Sequence, residues 1–109
     1  MEIEIVDFIV KVAACVCGKD GIISQAEEKA MLNLIILEYP NYPLERFNQA
    51  LDEFFDETLQ IEDYLHKLAR SGLNPFIINI CELSASADGL DIKENIALHK
   101  VKLILGSEI

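Results

Sequence analysis

Twice the chain runs an Asp-Gly turn straight into a helix start. Lys19-Asp20-Gly21-Ile22-Ile23-Ser24-Gln25-Ala26-Glu27 returns as Ala87-Asp88-Gly89-Leu90-Asp91-Ile92-Lys93-Glu94. Ser24 with Glu27, and Asp91 with Glu94, have the N-cap to third-position spacing of a capping box, in which the two side chains satisfy each other's orphan backbone N–H groups. The boxes lie 67 positions apart and the Asp-Gly pairs 68. A duplicated helix-turn-helix with a second turn one residue shorter accounts for both offsets. It also places the same acidic residue types at two equivalent places.

The flanking segments carry helical periodicity. From Glu2 to Cys17 the strongly polar positions are Glu2, Glu4, Asp7 and Lys11, the last three at i, i+3 and i+7. This predicts a helix with a narrow wet stripe and an otherwise buried circumference. Ser24 opens a second helix to about Glu38, with Ala26, Ala30, Met31, Leu34, Ile35 and Leu37 inward, and Tyr39-Pro40-Asn41-Tyr42-Pro43 stops it. A third helix starts near Pro43 and ends near Thr58, with Leu44, Phe47, Leu51, Phe54 and Phe55 inward and its acids outward. Ile61 to Arg70 reads as a shorter helix closed by Ser71-Gly72, and Asn74-Pro75 supplies an N-cap and a first-turn proline for the next. That fifth helix, to about Ala87, is again nearly all apolar, with Asn79, Glu82 and Ser86 as its polar stripe.

The sixth, Asp91 to about Leu105, matches the second at the 67-residue offset: Ala30 with Ala97, Met31 with Leu98, Leu34 with Val101, Leu37 with Ile104. No segment sustains period-two alternation. The expectation is one all-α domain over residues 1–109, of about six helices. Its repeat halves, about 2–38 and 75–106, are related by a pseudo-twofold and joined by an acidic segment, 43–70.

Nine Lys and Arg against 19 Asp and Glu give a net charge of −10. That balance argues against nucleic acid and bare anionic membrane as partners. The surplus concentrates in Glu45, Asp52, Glu53, Asp56, Glu57, Glu62 and Asp63, against Arg46 alone. Such a run is either a solvated helix face or, through Asp52, Glu53, Asp56 and Glu57, a docking surface for a basic protein. The first residues, Met1-Glu2-Ile3-Glu4, are acidic where a secretory signal needs cations, and no apolar run approaches the roughly 18 residues of a membrane span. A soluble cytoplasmic protein is the expectation, with homo-oligomers left open. Cys15, Cys17 and Cys81 sit in apolar surroundings and suit reduced core thiols.

Catalysis finds little support in the motifs: there is no Gly-rich phosphate loop, nucleophile elbow or His-Glu-x-x-His, and His66 and His99 fall on different helices. Asp20, Gly21, Ile23 and Glu27 fit half of an EF-hand loop, but Val16 and Gly18 stand where its first two acidic ligands belong. A shared site suits the duplication better. Asp20 and Glu27 converging with Asp88 and Glu94 make an all-oxygen cluster suited to calcium, magnesium or manganese. Capping and local turn hydrogen bonds account for the same residues, so the pattern leaves both explanations open.

The pattern Cys17-Gly18-Lys19-Asp20-Gly21 with Ser24 and Glu27, and its partner Ser84-Ala85-Ser86-Ala87-Asp88-Gly89 with Glu94, resembles the tellurite-resistance TerB-like family. It is also similar to the N-terminal region of some membrane-anchored J-domain co-chaperones. The resemblance covers about half the chain. It implies an internally duplicated helical fold, a divalent-metal site at Asp20, Glu27, Asp88 and Glu94, and a protein-interaction role in stress-response or phage-related assemblies. The shortened second turn departs from the pattern at Glu94, and no His-Pro-Asp tripeptide of a J-domain occurs. The rival expectation is an acidic inhibitor or immunity-type protein that captures a basic partner by electrostatic steering. An unrecognised enzyme acting through Asp20 or Asp88 ranks last.

Overall fold

The long apolar run after Glu4 forms the axis on which the other helices close. A computed structural model of the chain describes residues 3–17, 23–56, 61–68, 72–87 and 92–106, the side chains of 74, 92–95 and 106 excepted. These residues form six helices: α1 (Ile3–Cys17), α2 (Gln25–Glu38), α3 (Leu44–Asp56), α4 (Ile61–Leu68), α5 (Asn74–Ser86) and α6 (Ile92–Gly106). No strand occurs among the described residues, and the expected all-α architecture of six helices is what the chain adopts.

Every residue of α1 from Ile9 to Cys17 is buried. A helix apolar around its whole circumference must be covered on all sides, and α3, α4, α5 and α6 pack on this one. The alanines Ala13 and Ala14 are wholly enclosed, and such small side chains let neighbouring helices approach closely. On the far side α5 takes both α2 and α6, and the Tyr39 ring meets Phe76 edge-on at 5.7 Å, tying the end of α2 to the start of α5. Cys15, Cys17 and Cys81 are buried and unbridged, and burial pushes the Cys81 thiol pKa up, with Cys15 a lesser contributor. No described helix is long and apolar enough to cross a membrane.

Local signals placed the helix ends well. Ser24 caps α2 with β-region backbone angles, and the N–H of Tyr39 closes the far end on the Ile35 carbonyl at 2.7 Å. Gly72, after α4, has φ +79°, a conformation that favours glycine. The α5 start differs by one residue: Leu73 holds the N-cap position without a side-chain bond, Asn74 is already helical, and Pro75 stands in the first turn.

The inward faces need three corrections. On α2, Ala26 is exposed and Leu37 is 80% exposed, because α2 packs mainly against α5 and buries only the line of Glu27, Met31 and Ile35. On α3, Phe47, Ala50 and Leu51 face α1, whereas Leu44 and Phe55 are 55% and 54% exposed. An apolar side chain marks a helix face but does not supply the helix that would cover it. The third correction falls on the α1 stripe, described next.

Candidate functional site

The first Asp-Gly motif ends in a built capping box. The Ser24 N–H donates to Glu27 Oε1 at 2.9 Å, and the Glu27 N–H donates to Ser24 Oγ at 3.1 Å. Glu27 is only 4% exposed. A carboxylate that deep needs compensation by hydrogen bonds, a cation or a metal, and one backbone N–H is what the described residues supply. Asp20 and Asp88 lie outside the described residues, as does the side chain of Glu94. Among the described residues no group of three or more His, Cys, Asp and Glu side chains gathers to hold a metal ion.

The polar stripe of α1 is wet at Glu4, which is exposed, but not at Asp7 and Lys11. Asp7 accepts hydrogen bonds from the Tyr42 hydroxyl and from Arg46 Nη2, so its carboxylate joins α1 both to the turn before α3 and to the first turn of α3. One turn on, Lys11, whose side chain is 7% exposed, reaches Glu53 Oε1 at 3.1 Å. Gln49 Nε2 donates to the other Glu53 oxygen at 3.2 Å. A polar seam therefore runs beneath α3 and sets its register on α1, because a shift of one residue would separate both charge pairs. Burial, and then the bond to Asp7, raise the Tyr42 hydroxyl pKa. The same carboxylate raises the pKa of the Arg46 guanidinium.

Glu53 is held below the ordinary carboxylate range, first by the hydrogen bond from Lys11 and then by that from Gln49. A carboxylate depressed in the folded state stabilises the fold above its unfolded pKa, about 4.5. That contribution is lost as pH falls through the lower folded value. Unfolding midpoints measured from pH 6 down to 3 are therefore expected to fall less steeply in Glu53→Gln than in the parent chain. Equal slopes would show that the Lys11 contact is not maintained in solution.

Above the seam, the outer face of α3 carries the acids expected to dock a partner. Asp52 and Asp56 are exposed, as is Glu45 two turns earlier on the same face, and none of the three has an ion-pair partner among the described residues. Glu53 differs: it is half exposed but tied to Lys11. Glu57 lies outside the described residues. Lys11 and Arg46, the cations that α1 and α3 place beside this helix, are engaged by Glu53 and Asp7. Elsewhere Lys100 pairs with Glu62 at 3.5 Å and Lys102 with Glu82 at 2.9 Å, which stitch α6 to α4 and α5. His66 lines a shallow cleft with Glu62, Asp63 and Lys67, and His99 stands exposed on α6.

Asp7, Lys11, Tyr42 and Arg46 are the site-building residues that sequence reasoning passed over. The available signal was an acid and a base four apart on a helix with no other polar residue between Glu4 and Cys17. Such groups are more economically paired under a neighbour than exposed beside an apolar core. No family model, curated protein or solved structure matches this chain.

Proposed function

We propose that this is a non-catalytic, TerB-like interaction module of a stress-response (tellurite-resistance-type) or phage-related system. It offers the outer face of α3 to a basic protein and binds a divalent cation at Asp20, Glu27, Asp88 and Glu94. The observation that carries the interaction reading is the ridge of Glu45, Asp52 and Asp56, without ion-pair partners among the described residues, on a chain of net charge −10. The cation is supported by the burial of Glu27, six positions after an Asp-Gly pair that the chain repeats. Calcium, magnesium and manganese are the hard cations such carboxylates suit.

Glu27→Gln separates cap from metal ligand. A glutamine carbonyl can still accept from the Ser24 N–H, as glutamine does in other capping boxes, but it brings no charge to a cation. In chelator-stripped protein the variant is expected to unfold within a few degrees of the parent. Adding cation at about 100 times its dissociation constant stabilises the parent by roughly 2.7 kcal/mol, a midpoint shift on the order of 10 °C, and Glu27→Gln and the Asp20→Asn, Asp88→Asn pair lose that shift. A parent that responds to none of the three cations would reduce the duplicated motif to turn and cap chemistry.

The same ridge favours a second reading, an acidic inhibitor that captures a basic toxin or nuclease. Electrostatic steering then predicts fast association that slows steeply with salt. Reversing Asp52 and Asp56 to lysine would slow association without changing the unfolding midpoint, and stopped-flow mixing at two ionic strengths reads it.

A further inference from the structure

Leu44, Asn48, Leu51 and Phe55 follow one another at intervals of four, three and four residues. That is the spacing of a coiled-coil seam, which keeps one narrow stripe of a helix facing a partner helix and tolerates a single asparagine that fixes register. The stripe differs from the line that holds α3 in place, since Phe47 and Ala50 turn fully inward to α1. Leu51, 7% exposed, lies on the boundary and floors the stripe, while Leu44 and Phe55 stand at its two ends, each more than half exposed. Eleven residues of helix separate those ends by about 16 Å. Among the described residues α1 is the one helix that α3 packs against substantially, and Leu44, Asn48 and Phe55 on this stripe stand exposed.

Each apolar residue of the stripe is followed at once by an acid: Leu44 by Glu45, Leu51 by Asp52, Phe55 by Asp56. Residues flanking a coiled-coil seam choose the partner by charge. We infer that α3 is one half of an intermolecular helix pair whose other half is a basic amphipathic helix of a partner protein, with apolar residues in the stripe and Lys or Arg against Glu45, Asp52 and Asp56. The inference rests on the interaction reading above and narrows it from a cationic surface to a helix of defined pattern. A second copy of this chain is the poorer occupant, because two molecules of charge −10 repel and α3 would set acid against acid.

The probe is a fluorescein-labelled helical peptide of about three heptads, with leucine at the seam positions and lysine at the flanking ones. A scramble of identical composition that breaks the heptad is the control. Fluorescence anisotropy with the whole chain is expected to show at least about tenfold tighter binding of the patterned peptide. Phe55→Ala and Leu44→Ala are each expected to weaken it roughly tenfold, as loss of an apolar anchor does at an interface. Both side chains are exposed, so the unfolding midpoints, measured in parallel, stay near the parent's.

Equal binding of the two peptides, lost on reversing Asp52 and Asp56 but unmoved by Phe55→Ala, would overturn the helix pair and leave acidic capture standing. Binding that none of the α3 variants alters, or no binding of either peptide, would overturn both. Concentration-dependent dimerisation of the chain alone, abolished by Phe55→Ala in sedimentation, would put a second copy in the stripe and overturn the basic partner.

Discussion

Truncating Phe47 to alanine is expected to lower the unfolding free energy by about 3–5 kcal/mol, and the thermal midpoint by on the order of 15 °C. The side chain is wholly buried and is the largest that α3 sets against α1. The helix it packs on is buried throughout from Ile9 to Cys17, so the surroundings have little room to collapse into the space. A domain of this length is stable by roughly 5–15 kcal/mol in all, which puts the variant close to the threshold of folding. Phe55→Ala, eight positions along the same helix, removes a side chain that is 54% exposed and is expected to cost no more than about 1 kcal/mol. Urea unfolding of the two variants checks the contrast. Equal losses would mean that α3 does not sit on α1 through Phe47.

Asp7→Ala is expected to give the second large loss. It removes the acceptor of the Tyr42 hydroxyl, a group in a residue only 6% exposed, and leaving a buried donor unpaired costs about 1–3 kcal/mol. Arg46 loses the same partner. In a Tyr42→Phe background, where no hydroxyl remains to strand, the Asp7 substitution should cost about 1 kcal/mol less. Lys11, the other α1 residue drawn under α3, behaves oppositely. Lys11→Met replaces a buried ammonium with an apolar chain of similar length, while Glu53, its side chain 48% exposed, returns to water. Substituting a buried charge by a well-packed apolar group is often neutral or stabilising, so Lys11→Met is expected to fall within about 1 kcal/mol of the parent. Denaturant midpoints of the three variants and the double variant test the whole seam.

These contrasts mark where local pattern was sufficient and where it was not. Ser24 and Glu27 meet as their spacing required, because a capping box is closed by atoms within four residues of each other. The break at Tyr39-Pro40 was legible for the same reason, whereas Asp91 of the second expected capping box lies outside the described residues. Asn74 went the other way: Pro75 marked the first turn, but which residue stands just outside the helix depends on backbone angles at Leu73, which no dipeptide preference settles.

The duplicated turn-and-cap pattern, the apolar periodicity of six segments and the excess of acid were properties of the sequence alone. They determined an all-helical chain with two helices too apolar to leave uncovered, since such features depend on residues a few positions apart. Which faces became interior was decided only by the tertiary packing. Asp7 and Lys11 read as a wet stripe until Arg46, Tyr42 and Glu53 were brought over them from thirty or more residues away. Leu44 and Phe55 read as core until α3 was found resting chiefly on α1, with one flank left open. Burial is a relation between elements, so an amphipathic pattern states what a helix can cover and the fold decides what covers it.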